Sequence, residues 1–542
     1  MDFLRSNKLV FHLLVGLILA AVYPMQALFS GNQNIYFLWG MAEMLPNTFA
    51  ADPLLLSPDP YPIFTWLISL FPIQWLTVWT SLIYVLLNAV YSFSLFGIAD
   101  HFTSLYKREK QLFSFTAIFI FLHSSPVWGT YLKLIADMDL RWIWDSGIAE
   151  QGVLRGYLQP SVFGVFLLLG FYQAIKRNWF FAILSLAPAA MMHANYLFLG
   201  GLLTAIYLIQ ARFEKKSLLA SLILLASVLP YSVYLLNHFV LLDESLKSSI
   251  NDAVMAGFVE NLHINPSNWL NAKFYLQLVA LSLGGLMIWT STLKRTFFGI
   301  LVTAVGLSVV AYVLNSTTLI SLNPWRLSII LIPISITVIL SRIVASGLWE
   351  SIRPFVFGCF ASIGVALIHY RIMGNSSQEF LVQWWSIHSM SFIVFSVGCF
   401  LLSKKDVLSK IIEPAMVFGL IAIGVIDLYI EEISRDNSHQ FQVIKEVRAT
   451  EEPNTVYIIP PEWTSFRMNA RKAVFVDGNL VYGPGLPSLM TRLDLATEAY
   501  ESGDFGPVLD QIPNEFSVVL ISGERGANEK GKSSAYKTEA LR

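Results

Sequence analysis

Long apolar runs separated by short polar or charged connectors fill the chain from near its beginning to about residue 430. An α-helix needs ~20 apolar residues to cross the hydrocarbon core of a bilayer. The pattern therefore predicts a polytopic α-helical membrane protein with about thirteen transmembrane helices. The predicted spans are residues 10–29, 74–99, 111–130, 156–175, 179–191, 194–210, 217–240, 273–291, 296–314, 327–341, 354–370, 381–402 and 413–430.

Two apolar segments fit this pattern less simply. Residues 179–210 must cross twice although they are short for two spans, so we expect two short helices or a re-entrant segment broken at Pro188. Either arrangement puts His193 near an outer tip. The segment YPIFTWLISLF, residues 61–71, predicts an amphipathic helix on the outer membrane interface, within a first external loop at residues 31–73.

The pattern changes after Ile430. Residues 431–523 are polar and charged, and contain three β-rich runs at 455–460, 472–477 and 516–522. Helical patterns at 434–450 and 487–502 accompany these runs, which predicts a small α/β domain with a mostly parallel sheet. Residues 524–542 have almost no apolar side chains and are predicted to be a disordered tail. Residues 1–430 would then form the transmembrane domain.

Cations are confined to a few connectors, and their positions predict the orientation. The chain from Leu9 to Tyr106 contains no Lys or Arg, whereas cations cluster just before it, just after it and between later apolar runs. Placing every cluster in the cytoplasm puts the N-terminus inside and the α/β domain outside the plasma (inner) membrane. The basic start resembles a signal peptide, but its apolar run is long enough to span, so we expect a retained first helix.

The composition supports a membrane protein and narrows the classes of partner. Of the residues, 55% are hydrophobic and 13% charged, and the mean hydropathy is +0.58, whereas soluble domains are about one-quarter charged. A net charge of -1 argues against a nucleic-acid partner, which would require a concentrated basic face. Cys359 and Cys399 lie within apolar runs and are interpreted as small hydrophobic residues.

Both predicted external loops are acidic. The first carries Glu43, Asp52 and Asp59, which are candidate catalytic acids or bases. The second, residues 131–155, contains the D-x-D pair Asp137 and Asp139, a spacing at which two carboxylates can share a hard divalent cation such as Mg²⁺ or Mn²⁺. A solvated acidic loop explains the same residues equally well. The loop also contains Arg141, Asp145, Glu150 and Arg155.

Other polar residues are expected at the same external face, each with a simpler alternative. His193 is a candidate catalytic residue or a hydrogen-bonded structural histidine. Arg326 suits phosphate binding through its guanidinium, or lies at the interface beside Trp325. Tyr157 lines the same cavity with Arg141 and Arg155 as further phosphate ligands, or merely precedes a helix that starts at a proline. Two further cations, Arg467 and Arg471, share one helix face in the α/β domain and bind phosphate or pair with surface acids such as Glu462.

This layout resembles the C-type glycosyltransferase fold, and most closely the catalytic subunits of oligosaccharyltransferases. Protein mannosyltransferases and lipid A aminoarabinose transferases are similar in the same way. The resemblance implies a catalytic role for Asp52, a metal-binding role for Asp137 with Asp139, and lipid-phosphate binding by Arg326. The W-W-D-Y-G sequence that marks acceptor recognition in oligosaccharyltransferases is missing, so transfer to asparagine is not expected.

A second resemblance names no reaction. The sequences NQNIYFLWG, DPYP, PSVFG and PPEWTSFRMNARKAVFVDG are similar to a group of bacterial multispanning membrane proteins whose activity is uncharacterised.

The function expected from these features is transfer of a sugar from a polyprenyl-phosphate-linked donor to an envelope glycan, lipid or protein at the outer membrane face. A single displacement would invert the anomeric carbon. One alternative is a transporter or flippase of a lipid-linked or polar solute, which typically has a charged or broken helix near the bilayer midplane. Another is a non-catalytic membrane scaffold whose α/β domain binds an envelope partner.

Overall fold

The protein is mainly helical, with one small sheet near the end of the chain. The computed structural model describes residues 7–23, 28–131, 140–141, 143–258, 269–291, 293–314, 316, 319–320, 323–349, 352, 406–450, 454–478, 485–523 and 536–541. Two predicted spans, 354–370 and 381–402, lie outside the described residues, and so do both residues of the D-x-D pair.

Five of the described helical segments are long and apolar enough to cross a membrane. They are Ile73–Thr103, Lys215–Val240, Ala272–Trp289, Lys294–Val313 and Pro324–Ala345. Shorter apolar helices occupy Lys8–Val22, Pro160–Ile175, Trp179–Met192, Ala194–Gln210 and Glu413–Ile426. Because these segments combine the required length or hydropathy with few charges, the chain has the character of a multi-pass helical membrane protein.

The helices of this region have the following bounds in chain order. They are α1 Lys8–Val22, α2 Gln33–Tyr36, α3 Leu38–Met44, α4 Pro46–Phe49, α5 Pro62–Ser69, α6 Leu76–Thr103, α7 Glu109–Leu122, α8 Val165–Ile175, α9 Trp179–Leu184, α10 Ala187–Met192, α11 Ala194–Gln210, α12 Lys215–Leu235, α13 Glu244–Phe258, α14 Ala272–Trp289, α15 Lys294–Val313, α16 Ser328–Ala345 and α17 Asp406–Asp436. Single turns of 3₁₀-helix at Pro53–Leu56 and Pro324–Leu327 connect some of them.

Helix α6 lies at the centre of the described bundle and packs against α1, α8 and α16. Close approach depends on small residues. A Cβ at Gly16 of α1 would lie 2.7 Å from the Ala89 nitrogen of α6, and one at Gly284 of α14 would lie 2.4 Å from the Ser335 Cβ of α16. Van der Waals contact between closely packed backbones is a principal source of helix association in lipid.

Two of the long apolar segments differ in how far they are buried inside the protein. The Pro324–Ala345 segment is largely buried inside the protein, whereas the Lys215–Val240 segment is largely exposed. Helix α12, within the latter, exposes large apolar side chains such as Leu222, at 64%, and Leu225, at 56%. After Lys216 the helix carries no charged residue. Exposed leucines along such a segment are favourable in lipid and unfavourable in water, so α12 presents an apolar face suited to the bilayer.

The first external loop predicted from the sequence is folded. Helices α2 to α5 occupy much of it, and Phe37, Phe49 and Phe64 are fully buried. Helix α5 agrees with the amphipathic helix predicted at residues 61–71, since Phe64 is buried while Trp66 is 59% exposed.

Within the described residues, the α/β domain contains four strands in the spatial order β2-β1-β3-β4, with β4 at Tyr536–Ala540. Strands β1 Thr455–Ile458, β2 Ala473–Val474 and β3 Ser517–Gly523 run parallel, with Val456 opposite both Ala473 and Val518. One sheet face packs against α18 His439–Ala449 and α19 Phe466–Ala470, and the other against α20 Leu486–Ser502 and α21 Gly506–Leu509. The sheet is therefore mostly parallel and covered by helices on both faces, as parallel sheets require.

The prediction of a disordered tail at residues 524–542 fails for part of that segment. Tyr536–Ala540 forms strand β4, which pairs antiparallel with β3, placing Leu520 opposite Glu539. Strand pairing uses main-chain groups that every residue carries, so a polar segment can complete a sheet edge without an apolar signature.

The α/β domain and the first loop share their cores. Met468 and Leu489 of the domain belong to the main hydrophobic cluster of the helical region, while Ala51 of the loop packs against the domain core. Gly485 of the domain also lies against the Ser57 side chain of the loop, since a Cβ at Gly485 would clash with the Ser57 Oγ. The domain thus rests directly on the loop segment that contains Asp52.

Candidate functional site

Three segments distant in sequence bring His193, Arg326 and Tyr61 together. His193 is the single extended residue between α10 and α11, and Arg326 lies in the 3₁₀ turn before α16. Asn323 precedes that turn with a left-handed backbone, φ 48°, which reverses the chain into the helix. Tyr61 is the third residue of the DPYP sequence of the first loop, and its ring centroid lies 5.4 Å from that of His193.

His193 and Arg326 face each other through nitrogen atoms. The Asn195 backbone N–H donates to His193 Nδ1 at 3.2 Å, so in the neutral ring the proton is on Nε2. That Nε2 lies 3.4 Å from Arg326 Nη1, which is also a donor. Two N–H groups that face each other cannot bond, and together they would hold an acceptor placed between or beside them.

The electrostatics of the pair favour an anion. Burial and the Arg326 charge lower the pKa of His193 well below its ordinary value, so the ring is neutral at neutral pH. Arg326 Nε is buried without a hydrogen-bond partner, and within the described ranges no carboxylate forms an ion pair with this guanidinium. A buried donor left unpaired costs about 1–3 kcal/mol, a cost that a bound anion would remove.

Tyrosines surround this pair. The His193 ring contacts Tyr196 at a centroid distance of 5.0 Å, and Tyr36 packs edge-on against Tyr61 at 4.9 Å. Burial raises the pKa of Tyr61 to about 12 and also raises that of Tyr36. These rings therefore remain neutral and offer hydroxyl groups and apolar faces. The sequence pattern does not mark Tyr36, Tyr61 or Tyr196 as site residues, because tyrosine is common at membrane interfaces.

Asp59 lies at the edge of the same cluster. Its Oδ1 accepts a hydrogen bond from the Tyr61 backbone N–H at 2.7 Å. The hydroxyls of Tyr234 and Tyr231 on α12 donate to the carbonyls of Asp59 and Pro60 at 2.8 and 2.9 Å. Burial raises the pKa of Asp59 from 3.8 to about 6, with a further contribution from the Glu43 charge. A carboxylate with this pKa can exchange protons near neutral pH.

Asp52, the acid expected to be catalytic from the family resemblance, lies in a different setting. It is 1% exposed, and its Oδ2 accepts from Arg467 Nε at 2.8 Å and from the Val474 N–H at 3.2 Å. Its Oδ1 accepts from the Leu54 N–H at 3.0 Å and caps the 3₁₀ turn. Both oxygens are thus engaged with protein donors.

Arg467 completes this arrangement by donating from Nη1 to Asp477 Oδ2 at 2.9 Å. It is 1% exposed, so the prediction of a surface cation paired with Glu462 is wrong for this residue. Arg467 lies on the face of α19 turned to the loop, whereas the nearby Arg471 is half-buried. The sequence gives no signal for a pair between residues separated by 415 positions.

The second external loop is described only in part. Asp137 and Asp139 lie outside the described residues, and within the described parts no group of three or more His, Cys, Asp or Glu side chains could hold a metal ion. Asp145 accepts a hydrogen bond from the Tyr23 hydroxyl at 2.6 Å, and burial raises its pKa to about 7. The sequence placed Asp145 in the loop but predicted neither its burial nor its partner.

The remaining candidates lie in the surrounding framework. The Tyr157 hydroxyl accepts from the Asn32 N–H at 3.2 Å and packs against Gly31, and Pro160 begins a 3₁₀ turn as expected for a proline-started helix. Arg155 accepts a hydrogen bond from the Tyr84 hydroxyl through its carbonyl. The half-buried Arg141 side chain lies against Gly129, while Glu43 is exposed near Asp59.

Comparison with known proteins gives no further assignment, since no protein-family model and no curated protein matches the chain. What the site can do is therefore inferred from its own geometry.

Proposed function

We propose that this chain is an integral membrane glycosyltransferase that moves a sugar from a polyprenyl-phosphate-linked donor to an envelope acceptor at the outer face of the membrane. The observation that carries the proposal is Arg326, whose guanidinium has no carboxylate partner among the described residues and faces the neutral His193. A phosphate oxygen is an acceptor that would satisfy both side chains at once.

The position of the pair suits a phosphate attached to a lipid. Arg326 and His193 lie at the ends of the apolar helices α16 and α11, next to the loop held by α12. The apolar face of α12 would contact the lipid tail, so that the headgroup meets Arg326 where the apolar helices end. A soluble phosphorylated metabolite would have no use for this apolar approach.

In the proposed reaction Asp59 is the general base. The acceptor hydroxyl would attack the anomeric carbon, the bond from that carbon to the phosphate oxygen would break, and polyprenyl phosphate would leave with the bonding electrons. Asp59, with a pKa of about 6, is ionised at neutral pH and would take the hydroxyl proton. The leaving phosphate would be stabilised by Arg326 and His193.

The remaining parts of the proposal come from the sequence. They are the full set of about thirteen spans, a cytoplasmic N-terminus, an extracytoplasmic α/β domain in the plasma (inner) membrane, and a divalent cation held by Asp137 and Asp139. No step of the mechanism above depends on the cation.

The test measures bond cleavage in a defined membrane. The purified chain in proteoliposomes is given a set of polyprenyl-phosphate sugars with Mg²⁺ or Mn²⁺ and an extract of envelope glycans and lipids, and release of polyprenyl phosphate is followed. Arg326→Gln should lower the rate at least tenfold, because a charge-assisted hydrogen bond contributes about 1.5–3 kcal/mol. The matched control is Arg342→Gln, an exposed arginine in the last turn of the same helix α16.

Equal rates in the two variants would refute the assignment of Arg326. Movement of labelled lipid across the bilayer without cleavage would favour the transporter or flippase, and neither cleavage nor lipid movement with the wild-type chain would favour the scaffold.

A further inference from the structure

A buried ion pair links the first external loop to the α/β domain. Asp52 belongs to the loop and Arg467 to helix α19, and their side chains are 0% and 1% exposed at an N–O distance of 2.8 Å. Asp477, also fully buried, holds the other side of the same guanidinium from within the domain. Arg467 thus has one acidic partner in the loop and one in its own domain.

The chain between Asp52 and Asp59 is short and stiff. It contains Pro53 and Pro58, and Pro60 follows it, so three positions have restricted φ. The Leu55 N–H donates to the Asp52 carbonyl at 3.1 Å and the Ser57 N–H to the Leu54 carbonyl at 3.2 Å, which closes the 3₁₀ turn. A displacement of Asp52 would therefore be carried along this segment rather than absorbed within it.

Both ends of the segment are held by other elements. The Arg467 pair and the close approach of Gly485 to Ser57 fix its start against the α/β domain. The hydrogen bonds from α12 to the carbonyls of Asp59 and Pro60 fix its end, where the Tyr61 ring lies 5.4 Å from the His193 ring. The loop is consequently held at one end by the domain and at the other by the helical bundle.

We propose that Arg467 is a positioning residue for the site: through its ion pair with Asp52 it holds the 52–61 segment so that Tyr61 stays against His193 and Asp59 stays buried at the edge of the site. The proposal rests on the proposed function for the role of Asp59, while the mechanical link between Arg467 and the segment does not. It gives Asp52 a positioning role in place of the catalytic role implied by the resemblance, since each Asp52 oxygen already accepts hydrogen bonds from protein donors.

The experiment compares two matched substitutions in the full-length chain in lipid nanodiscs. Asp52→Asn and Asp477→Asn each remove one buried carboxylate from the same guanidinium, but only Asp52 belongs to the loop. An asparagine at position 52 has one oxygen in place of two, so it must present its NH₂ group to Leu54 N–H or to the Arg467 and Val474 donors. The loop should be released in this variant alone.

Hydrogen exchange and the pH profile provide the readouts. At the amides of residues 54–57, 59 and 61, Asp52→Asn should exchange at least tenfold faster than Asp477→Asn. For sugar transfer, the acid limb of the rate profile should move below pH 6 in Asp52→Asn, because release of the loop exposes Asp59 to water and removes the cause of its raised pKa. Asp477→Asn should keep the wild-type limb.

Equal exchange of this segment in the two variants would overturn the proposal, and so would an unchanged rate profile in Asp52→Asn. If Asp52→Asn also unfolds the domain, exchange in strands β1 and β3 reveals it. In that case Arg467→Lys is the deciding variant, because lysine keeps the charge but cannot contact both carboxylates as the guanidinium does. We expect faster exchange at residues 54–61 in this variant while strands β1 and β3 stay protected. Were the wild-type chain to transfer no sugar, the proposed function would fail while exchange still decided the role of Arg467.

Discussion

Replacing Arg467 by methionine should destabilise the α/β domain strongly. The substitution keeps much of the aliphatic volume but removes the hydrogen bonds of 2.8 and 2.9 Å to Asp52 and Asp477. At about 1.5–3 kcal/mol for each bond to a charged group, the loss is about 3–6 kcal/mol. Removal of one partner from a buried ion pair costs about 3–5 kcal/mol, so we expect about 4 kcal/mol. For a domain of this size that lowers the melting temperature by roughly 15 °C or more.

The assay is thermal unfolding of the full-length protein in nanodiscs, with hydrogen exchange at residues 454–478 to locate the change. The control is Arg471→Met, four residues further along. Arg471 is half-buried, and burial together with the Arg448 charge lowers its pKa, so its removal relieves a desolvation cost and a repulsion and should change stability by less than about 1 kcal/mol. Equal melting of Arg467→Met and wild type would refute the reasoning, since it would mean that the desolvation of three charged groups cancels the attraction between them.

Three further outcomes follow from the same contacts. Asp59→Asn should lower transfer by about 10²–10⁴-fold and abolish the rise of rate through pH 6 that is expected of the wild type, and an unchanged profile would exclude Asp59 as the base. Because the folded-state pKa of Asp59 is raised from 3.8 to about 6, its contribution to stability is complete below pH 3.8 and is lost as the pH rises through 6. Thermal melts should therefore find Asp59→Asn more stable than wild type at pH 7.5, with the difference vanishing towards pH 4; the opposite order would contradict the burial of this carboxyl. Gly485→Ala should cost about 1–3 kcal/mol through the contact with Ser57 Oγ, and Ser57→Ala should restore melting, because the remaining neighbour, Ser57 Cβ, lies 3.3 Å away.

The helical membrane character could be predicted from the sequence because it depends on local hydropathy alone. The segment Pro324–Ala345 is recognisable from its own residues, whatever it packs against. The strands at Thr455–Ile458 and Ser517–Gly523 were predictable for a similar reason, since both are rich in β-branched residues. Strand β4 was missed because main-chain pairing, and not side-chain pattern, forms it.

The candidate site was only partly predictable. His193 and Arg326 were candidate site residues because they are isolated polar residues in apolar surroundings. Nothing in the sequence indicates that Arg326 Nη1 lies 3.4 Å from His193 Nε2. The burial of Asp52 could not be predicted, since it depends on a pair with Arg467, 415 positions away. Contacts between residues so far apart in sequence depend on the tertiary fold, and local periodicity carries no information about them.

The ion pair between Asp52 and Arg467 also makes the geometry of the first loop depend on the α/β domain. The helices that carry His193 and Arg326 precede the α/β domain in the chain, so they can pack before residues 431–523 have folded. Asp52 cannot be buried with two engaged oxygens until α19 and β2 supply the Arg467 guanidinium and the Val474 N–H. An unpaired carboxylate at that position would remain solvated, since burying it alone is strongly unfavourable. The buried geometry of Asp52 therefore requires the folded α/β domain, and the position of the 52–61 segment, which carries Tyr61 to His193, depends on that domain as well.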